Sequence, residues 1–295
     1  MAVFDCCFGF LNENDLYEIR LNQHWDFVDR FIVVEAKETH TGIPKDLRFD
    51  QERFKPYADK ITYITFDNFE EEIAKYPWLL DQVGANSPAH NMDGESWKRC
   101  SFQSNYIVKI LADLGAKDDD VVIATCVDEI IKKETFEKAI AIFNEDKTAT
   151  YAHGLRPLIH WNTYLYAYKM NLLHIHWTQH VAGLLTEFSN FKKILPATMR
   201  HVGITTHPVI PDGGWHFTFL DNTDGDLVLD KQRSWAHSKD IYPGQKTKFD
   251  HTTKEEAVAR FFHDYAITKV DITEATHPKY IIDNLEKFDN CIYKD

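Results

Sequence analysis

Residues 117–131 read KDDDVVIATCVDEII, and the fold turns on this stretch. Val121, Val122, Ile123 and Ala124 form a short apolar run between acidic residues. An unbroken run of that length suits a strand buried on both faces, as in the middle of a parallel sheet. Asp128 and Glu129 follow at once. In open α/β sheets, ligands bind just outside the carboxyl ends of such strands. A carboxylate there can hold a divalent cation against substrate phosphates, because Mg²⁺-type ions take oxygen ligands. Asp128 could equally cap a helix starting near Lys133, since Asp is favoured at helix starts. The stretch alone leaves both readings open.

The segments before it alternate strand and helix. Val3 to Phe8 reads as a first strand, and Asn12 or Asn14 as the cap of a helix reaching His24. Phe31 to Val34, ending in Glu35, reads as a second strand, and Ile61 to Phe66 as a third. Asp81 to Gly94 is a loop by composition. Trp97, Cys100, Ser104, Ile107, Leu111 and Leu114 recur at helical spacing, with Gly115 where a C-terminal cap belongs. This alternation predicts a mostly parallel α/β sheet with helices on both faces. From Thr148 the texture turns aromatic and β-branched, which predicts an antiparallel second half. PDGGWHFTFL, from Pro211, reads as a turn leading into a strand. Thr253 and Glu256 form a capping box, and Pro278 suits the first position of a last short helix. With no repeat or linker, one domain over 1–295 is expected.

The chain's 295 residues carry 33 basic and 46 acidic side chains, a formal net charge of −13. Such acidity argues against nucleic-acid binding, which needs basic patches. No segment approaches the ~20 apolar residues of a membrane span. The five cysteines form no paired framework and read as reduced thiols, so a cytoplasmic protein is expected. GxGxxG, P-loop and GxSxG patterns are all missing, which disfavours nicotinamide dehydrogenases, P-loop NTPases and α/β-hydrolases.

HIHWTQH, residues 174–180, would put His174 and His176 on one strand face, as zinc ligands sometimes lie. A zinc hydrolase also needs a third ligand and a water-activating carboxylate. The alternative is that these histidines and Trp177 line an aromatic sheet or groove. DNTDGDLVLDKQ, from Asp221, places Gly225 one position too early for a calcium loop and ends in Gln232, so it reads as an acidic turn.

Six blocks in order resemble glycosyltransferase family 17, the bisecting-type β-1,4-mannosyl-glycoprotein N-acetylglucosaminyltransferases and their microbial and viral relatives. They are FDCCFGFLNENDLYEIRLNQHWDFVDRFIVVEAKETHTGIPKDLRF from Phe4, ESWKRCSFQSNYI, DDDVVIATCVDEI, DGGWHFTFL, SWAHSKD and HPKYIIDNLEKF. The resemblance spans nearly the whole chain. It implies a GT-A-like fold, with a nucleotide-sugar half over 1–145 and an acceptor half over 146–295. It implies transfer of a sugar, UDP-GlcNAc foremost, from a UDP-sugar to a glycan hydroxyl with inversion. By matched position, Asn12, Glu35, Thr41, Lys45 and Asp128 would bind the nucleotide-sugar. Asp128 and His216 would hold Mn²⁺ or Mg²⁺. Trp215 and His237 would face the acceptor, and Asp212 and Glu129 are the candidate catalytic carboxylates, with Asp212 as base. Animal relatives carry a membrane anchor; this chain starts at its first strand and is expected to be soluble. Two positions depart from the family pattern. Its Asp-x-Asp appears as Cys126-Val127-Asp128, and its Gln-Arg as Gln103-Ser104. A degenerate transferase that binds a nucleotide or glycan without turnover, and a metal-dependent hydrolase, are the other readings.

Overall fold

The computed structural model describes residues 1–80, 94–175, 180–202, 207–239, 253–264 and 266–294. The expected loop at 81–93, together with His176 and Trp177, lies outside them. In chain order the elements are β1 (Val3–Cys7), α1 (Asn14–His24), β2 (Arg30–Ala36), β3 (Ile61–Phe66), α2 (Phe69–Lys75), α3 (Gly94–Asp113), β4 (Val121–Thr125) and β5 (Glu129–Ile131). Then come α4 (Lys133–Glu145), β6 (Ile159–Ala167), β7 (Leu172–His174), β8 (His180–Glu187), α5 (Pro196–Val202), β9 (Val209–Thr218), α6 (Asp226–Ser234), α7 (Lys254–Asp264), β10 (Ile267–Lys269) and α8 (Lys279–Asp283).

One sheet runs through the molecule in the order β10-β7-β6-β8-β4-β1-β2-β3, with β9 joining β6 and β5 joining β9. The strands β3, β2, β1 and β4 are mutually parallel, as the sequence predicts. β8 then pairs antiparallel with β4, and β6 antiparallel with β8. The expected mixed α/β architecture is present: a parallel first half continued by a mostly antiparallel one, in which β9 runs parallel to β6.

Alternation along the parallel strands builds two cores. Val3, Cys7, Phe31, Val33, Val121 and Ile123 face α1, α4 and α8 through Leu16, Tyr17, Phe136 and Ile281. Phe4, Cys6, Ile32, Val34, Val122 and Ala124 face α2, α3 and α5 through Phe69, Phe102, Ile107 and Met199. A third cluster joins Tyr168 and Phe219 to α6 and α7. No helix among the described residues is long and apolar enough to cross a membrane.

Four local expectations change. Neither Asn12 nor Asn14 caps α1; Glu13 holds the cap position, and its carboxylate accepts from Leu11 N and Asn12 N at 2.8 and 3.0 Å. Asp128 is not the cap of α4 either, because β5 intervenes and Lys132 takes the cap position. PDGG is not a turn before a strand. It is a bulge inside β9, where the register against β6 shifts between Trp161 and Thr163. Pro278 is the cap residue of α8, one place earlier than expected. The capping box at Thr253 and Glu256 is formed.

Candidate functional site

The site grows from the end of β4. After Thr125 the chain must turn and reverse into β5, and buried polar groups on α1 fix that turn. Arg20 and Asp5 are both fully buried and paired. Arg20 Nη1 also donates to the carbonyls of Cys126 and Glu129 at 2.7 and 3.0 Å. His24 Nδ1 donates to Asp5 at 2.7 Å, and its Nε2 accepts from Ile131 N at 3.2 Å. Burial would raise the Asp5 carboxyl, but Arg20 and His24 pull it down to about 2. Burial dominates at His24 and lowers its pKa, which matches a neutral ring accepting at Nε2. Buried ion pairs of this kind hold geometry, since removing one partner strands the other charge.

On this platform Asp128 and Glu129 project toward two cations from distant helices. Lys231 of α6 lies 2.9 Å from Asp128 Oδ2 and 3.6 Å from Glu13 Oε1. Arg200 of α5 pairs with Glu129 and donates to Cys126 Sγ at 3.0 Å. His216, opposite Glu129 in the β5–β9 register, puts Nε2 3.6 Å from Asp128 Oδ2. Burial would raise the Asp128 carboxyl, yet Lys231 and His216 hold it well below the usual carboxylate range. Burial pushes the Cys126 thiol up to about 12 against the pull of Arg200, so it is a neutral thiol.

The loop after β2 closes one side. Glu35 is buried and accepts from Lys45 Nζ at 2.5 Å, Arg48 N at 2.8 Å, Phe49 N at 3.1 Å and the Tyr63 hydroxyl at 2.7 Å. It therefore ties the loop to the sheet edge. Thr41 Oγ1 donates to Arg233 O at 2.9 Å, and Arg48 pairs with Asp230, which docks the loop on α6. His40 Nε2 meets Gln103 Oε1 at 2.8 Å, so Gln103 braces the loop from α3. Ser104, which stands where the family pattern has Arg, donates to Cys100 O instead.

The structure thus brings Asn12, Glu35, Thr41, Lys45, Asp128, Glu129 and His216 to the carboxyl edge of the parallel strands. Asp212 pairs instead with Lys132. Asp212 sits in the β9 bulge with φ 50°, its carboxylate 59% exposed and 2.6 Å from Lys132 Nζ. It precedes His216 by four residues, a separation of up to ~13 Å at ~3.3 Å per residue. Lys132 Nζ also lies 5.5 and 5.3 Å from the ring centres of Tyr164 and Trp215. Trp215 is buried on the opposite face of β9 from His216, its indole N–H donating to Thr276 O at 2.8 Å. His237 packs its ring 4.5 Å from Trp97 and 4.7 Å from Trp235, which links the end of α6 to α3. His174 is buried in β7 beside β10. Asp221 is buried and caps the α6 start through Gly225 N and Leu227 N, the acidic turn expected there.

Lys231, Arg200, Glu13 and Arg20 are the site residues that sequence reading missed. Lys231 lay inside the rejected calcium-like stretch, and no local pattern marks Arg200.

The donor set fits a hard divalent ion poorly. Among the described residues no group of three or more His, Cys, Asp or Glu could hold a metal. Asp128 and His216 are the expected pair, and Asp128 already holds Lys231 at 2.9 Å. Glu129 is engaged by Arg200, Glu13 by backbone N–H groups, and Cys126 is a soft donor carrying its proton.

The family model described as glycosyltransferase family 17 matches residues 1–260. No curated protein matches the sequence. Among solved structures, one described as a mycobacterial protein is similar at 10% identity, covering 73% of this chain and 67% of its own, with a TM-score of 0.34. Glucosyl-3-phosphoglycerate synthase from Mycobacterium tuberculosis, solved with Mn²⁺, UDP and phosphoglyceric acid, is similar at 8% identity. It covers 95% of this chain and 91% of its own, with a TM-score of 0.34. At such values neither informs the placement of individual residues. The match over residues 1–260 carries the assignment: the chain belongs to glycosyltransferase family 17.

Proposed function

We propose that the chain transfers a sugar, GlcNAc, from a UDP-sugar to a glycan hydroxyl with inversion. The observation that supports this is the convergence at one sheet edge. The ends of β1, β4 and β9, with β5, α5 and α6, gather Glu13, Asp128, Glu129, His216, Lys231 and Arg200 around a single turn. In this reading residues 1–145 bind the nucleotide-sugar and residues 146–295 face the acceptor. The loop held by Glu35 and Lys45 and latched by Thr41 closes over the nucleotide, and Asn12 lies at its mouth. The diphosphate meets the 126–129 turn, where negative charge develops as the sugar leaves. Fixed cations and dipoles stabilise such charge most when they need no rearrangement.

Inversion needs a carboxylate opposite the leaving group to take the acceptor proton. Glu129 is locked by Arg200 and Cys126 N, which leaves Asp212, exposed beside Lys132 and Tyr164, as the base. The donor's hexose and the attacking hydroxyl would then fill the space between His216 and Asp212. Trp215 and His237 act here as supports of the acceptor side and not as stacking surfaces, since both rings are packed.

The test is a thermal-shift screen of UDP- and GDP-sugars followed by transfer assays on glycan acceptors. A ligand of the folded state raises stability with the logarithm of its concentration over Kd. UDP-GlcNAc should give the largest shift, and Asp212→Asn should lower turnover by about 10²–10⁴-fold with UDP binding intact. Normal turnover in that variant removes Asp212 as base. The second reading, binding without turnover, is favoured by Cys126 standing in the Asp-x-Asp position. It predicts donor binding with neither transfer nor donor hydrolysis.

A further inference from the structure

The poor fit to a metal and the two half-buried cations have one explanation. We infer that Lys231 and Arg200, and not a divalent ion, hold the donor's diphosphate and offset its charge as the sugar departs. The inference rests on the nucleotide-sugar reading above and specifies how the site binds that donor.

Four observations carry it. First, the place beside Asp128 is already taken by the Lys231 ammonium at 2.9 Å. A divalent ion there would break this pair and face a like charge, with Glu13 at 3.6 Å as the displaced lysine's remaining acid partner. Second, most other oxygens of the turn are engaged. Glu129 is bound by Arg200 and by Cys126 N at 3.1 Å, and Glu13 Oε2 by two backbone N–H groups, while its Oε1 faces Lys231 at 3.6 Å. An ion taking the place of Lys231 would leave most of its shell to water and the diphosphate.

Third, both cations have donors to give. Lysine carries three N–H donors and arginine five in a planar fork. Lys231 makes its short contact to Asp128, and Arg200 makes two contacts, to Glu129 and Cys126 Sγ. Their side chains are 17% and 26% exposed, so a ligand at the edge can reach them. Fourth, the two flank the 126–129 turn from different helices. Lys231 takes Asp128 and Arg200 takes Glu129, as a clamp on two neighbouring phosphoryl groups requires. Guanidinium and ammonium groups form strong charge-assisted bonds to phosphate oxygens.

The test is calorimetric titration of UDP into the full chain, once in EDTA and once with excess Mn²⁺. Equal affinity in the two buffers is expected, and Mn²⁺ titrated alone should give no saturable heat. Lys231→Met and Arg200→Gln should each weaken UDP binding in EDTA by about tenfold or more, the scale of one lost charge-assisted contact. Lys231→Arg should retain it. Because Lys231→Met strands the buried Asp128, the double variant Asp128→Asn/Lys231→Met keeps the charge balanced, and its melting temperature reports the fold. It should bind UDP as weakly as Lys231→Met. UDP binding that appears only with Mn²⁺ overturns the inference and leaves the nucleotide-sugar reading standing. Wild-type affinity in a folded Lys231→Met or double variant also overturns it. UDP that binds in neither buffer overturns both.

Discussion

Asp5 has no part in the expected chemistry, yet the turn at residues 126–129 depends on it. It lies in the middle of β1, fully buried, and it fixes Arg20 and His24, which in turn hold the backbone of residues 126, 129 and 131. Its carboxyl is lowered from 3.8 to about 2 in the folded chain. A depressed folded value means the stabilisation is fully present above the unfolded pKa and is lost as pH falls toward about 2. At 1.36 kcal/mol per unit, this single group contributes about 2 kcal/mol of acid sensitivity below pH ~4. Asp128 acts in the same direction. Asp5→Asn should therefore destabilise the chain at neutral pH and flatten the fall in urea stability between pH 4 and 2. Stability curves with the same slope for variant and wild type would show that the buried triad is not the origin of that acid limb.

At the scale of elements, β5 has three residues and survives because β9 is pressed against it. Gly214 makes that approach possible: a Cβ there would lie 2.2 Å from Ile130 O and 3.0 Å from Trp161 Nε1. Neighbouring Gly213 is equally constrained, with its Cβ position 2.4 Å from Trp161 Cβ. The glycine pair thus seats β9 on Trp161, sets His216 opposite Glu129 and leaves Asp212 in the bulge. Gly214→Ala should cost about 1–3 kcal/mol or more, because the clash is with backbone and cannot be relieved by a rotamer change. It should also weaken UDP binding, since the Glu129–His216 register must shift. Gly94→Ala, at a helix start with nothing within 4 Å, is the control and should leave the melting temperature unchanged or raised. Equal melting temperatures for the two variants would mean the β5–β9 contact is softer than the packing indicates.

For the molecule as a whole, the core on the α1 side of the sheet is closed by chain from both ends. The family match stops at residue 260, but the segment after it returns to the first helix. Ile281, Phe288 and Cys291 are buried in the same core as Leu16 and Tyr17. Tyr280 and Lys287 pair with Glu18 of α1, and Lys169 Nζ donates to Asn290 O at 2.9 Å. Phe288→Ala should cost about 3–5 kcal/mol, the range for emptying a buried aromatic site. That loss would appear in the melting temperature, with UDP affinity unchanged at temperatures where the variant is folded. A negligible shift would place the closing segment outside the cooperative unit.

What the sequence determined is what local pattern can encode. Val121–Ala124 and Phe31–Val34 are unbroken apolar runs, Ile61–Phe66 and the first strand are broken only by threonines and by Asp5, and each became a parallel strand within a residue or two of its expected bounds. The carboxyl-edge position of Glu35 and Asp128 followed from those strands, because a strand's direction sets which end its last polar residue occupies. Tertiary structure decided which charges meet. Lys231 reaches Asp128 across 103 residues and Arg200 reaches Glu129 across 71, distances over which no periodicity speaks. It also made β5 a strand and PDGG a bulge, since three-residue strands and bulges are stable only against a partner, here Trp161 and β9. The separation of Asp212 from Asp128 has the same origin. Matched blocks give residue identities in order, and only the packed register of β9 sets how far apart their side chains stand.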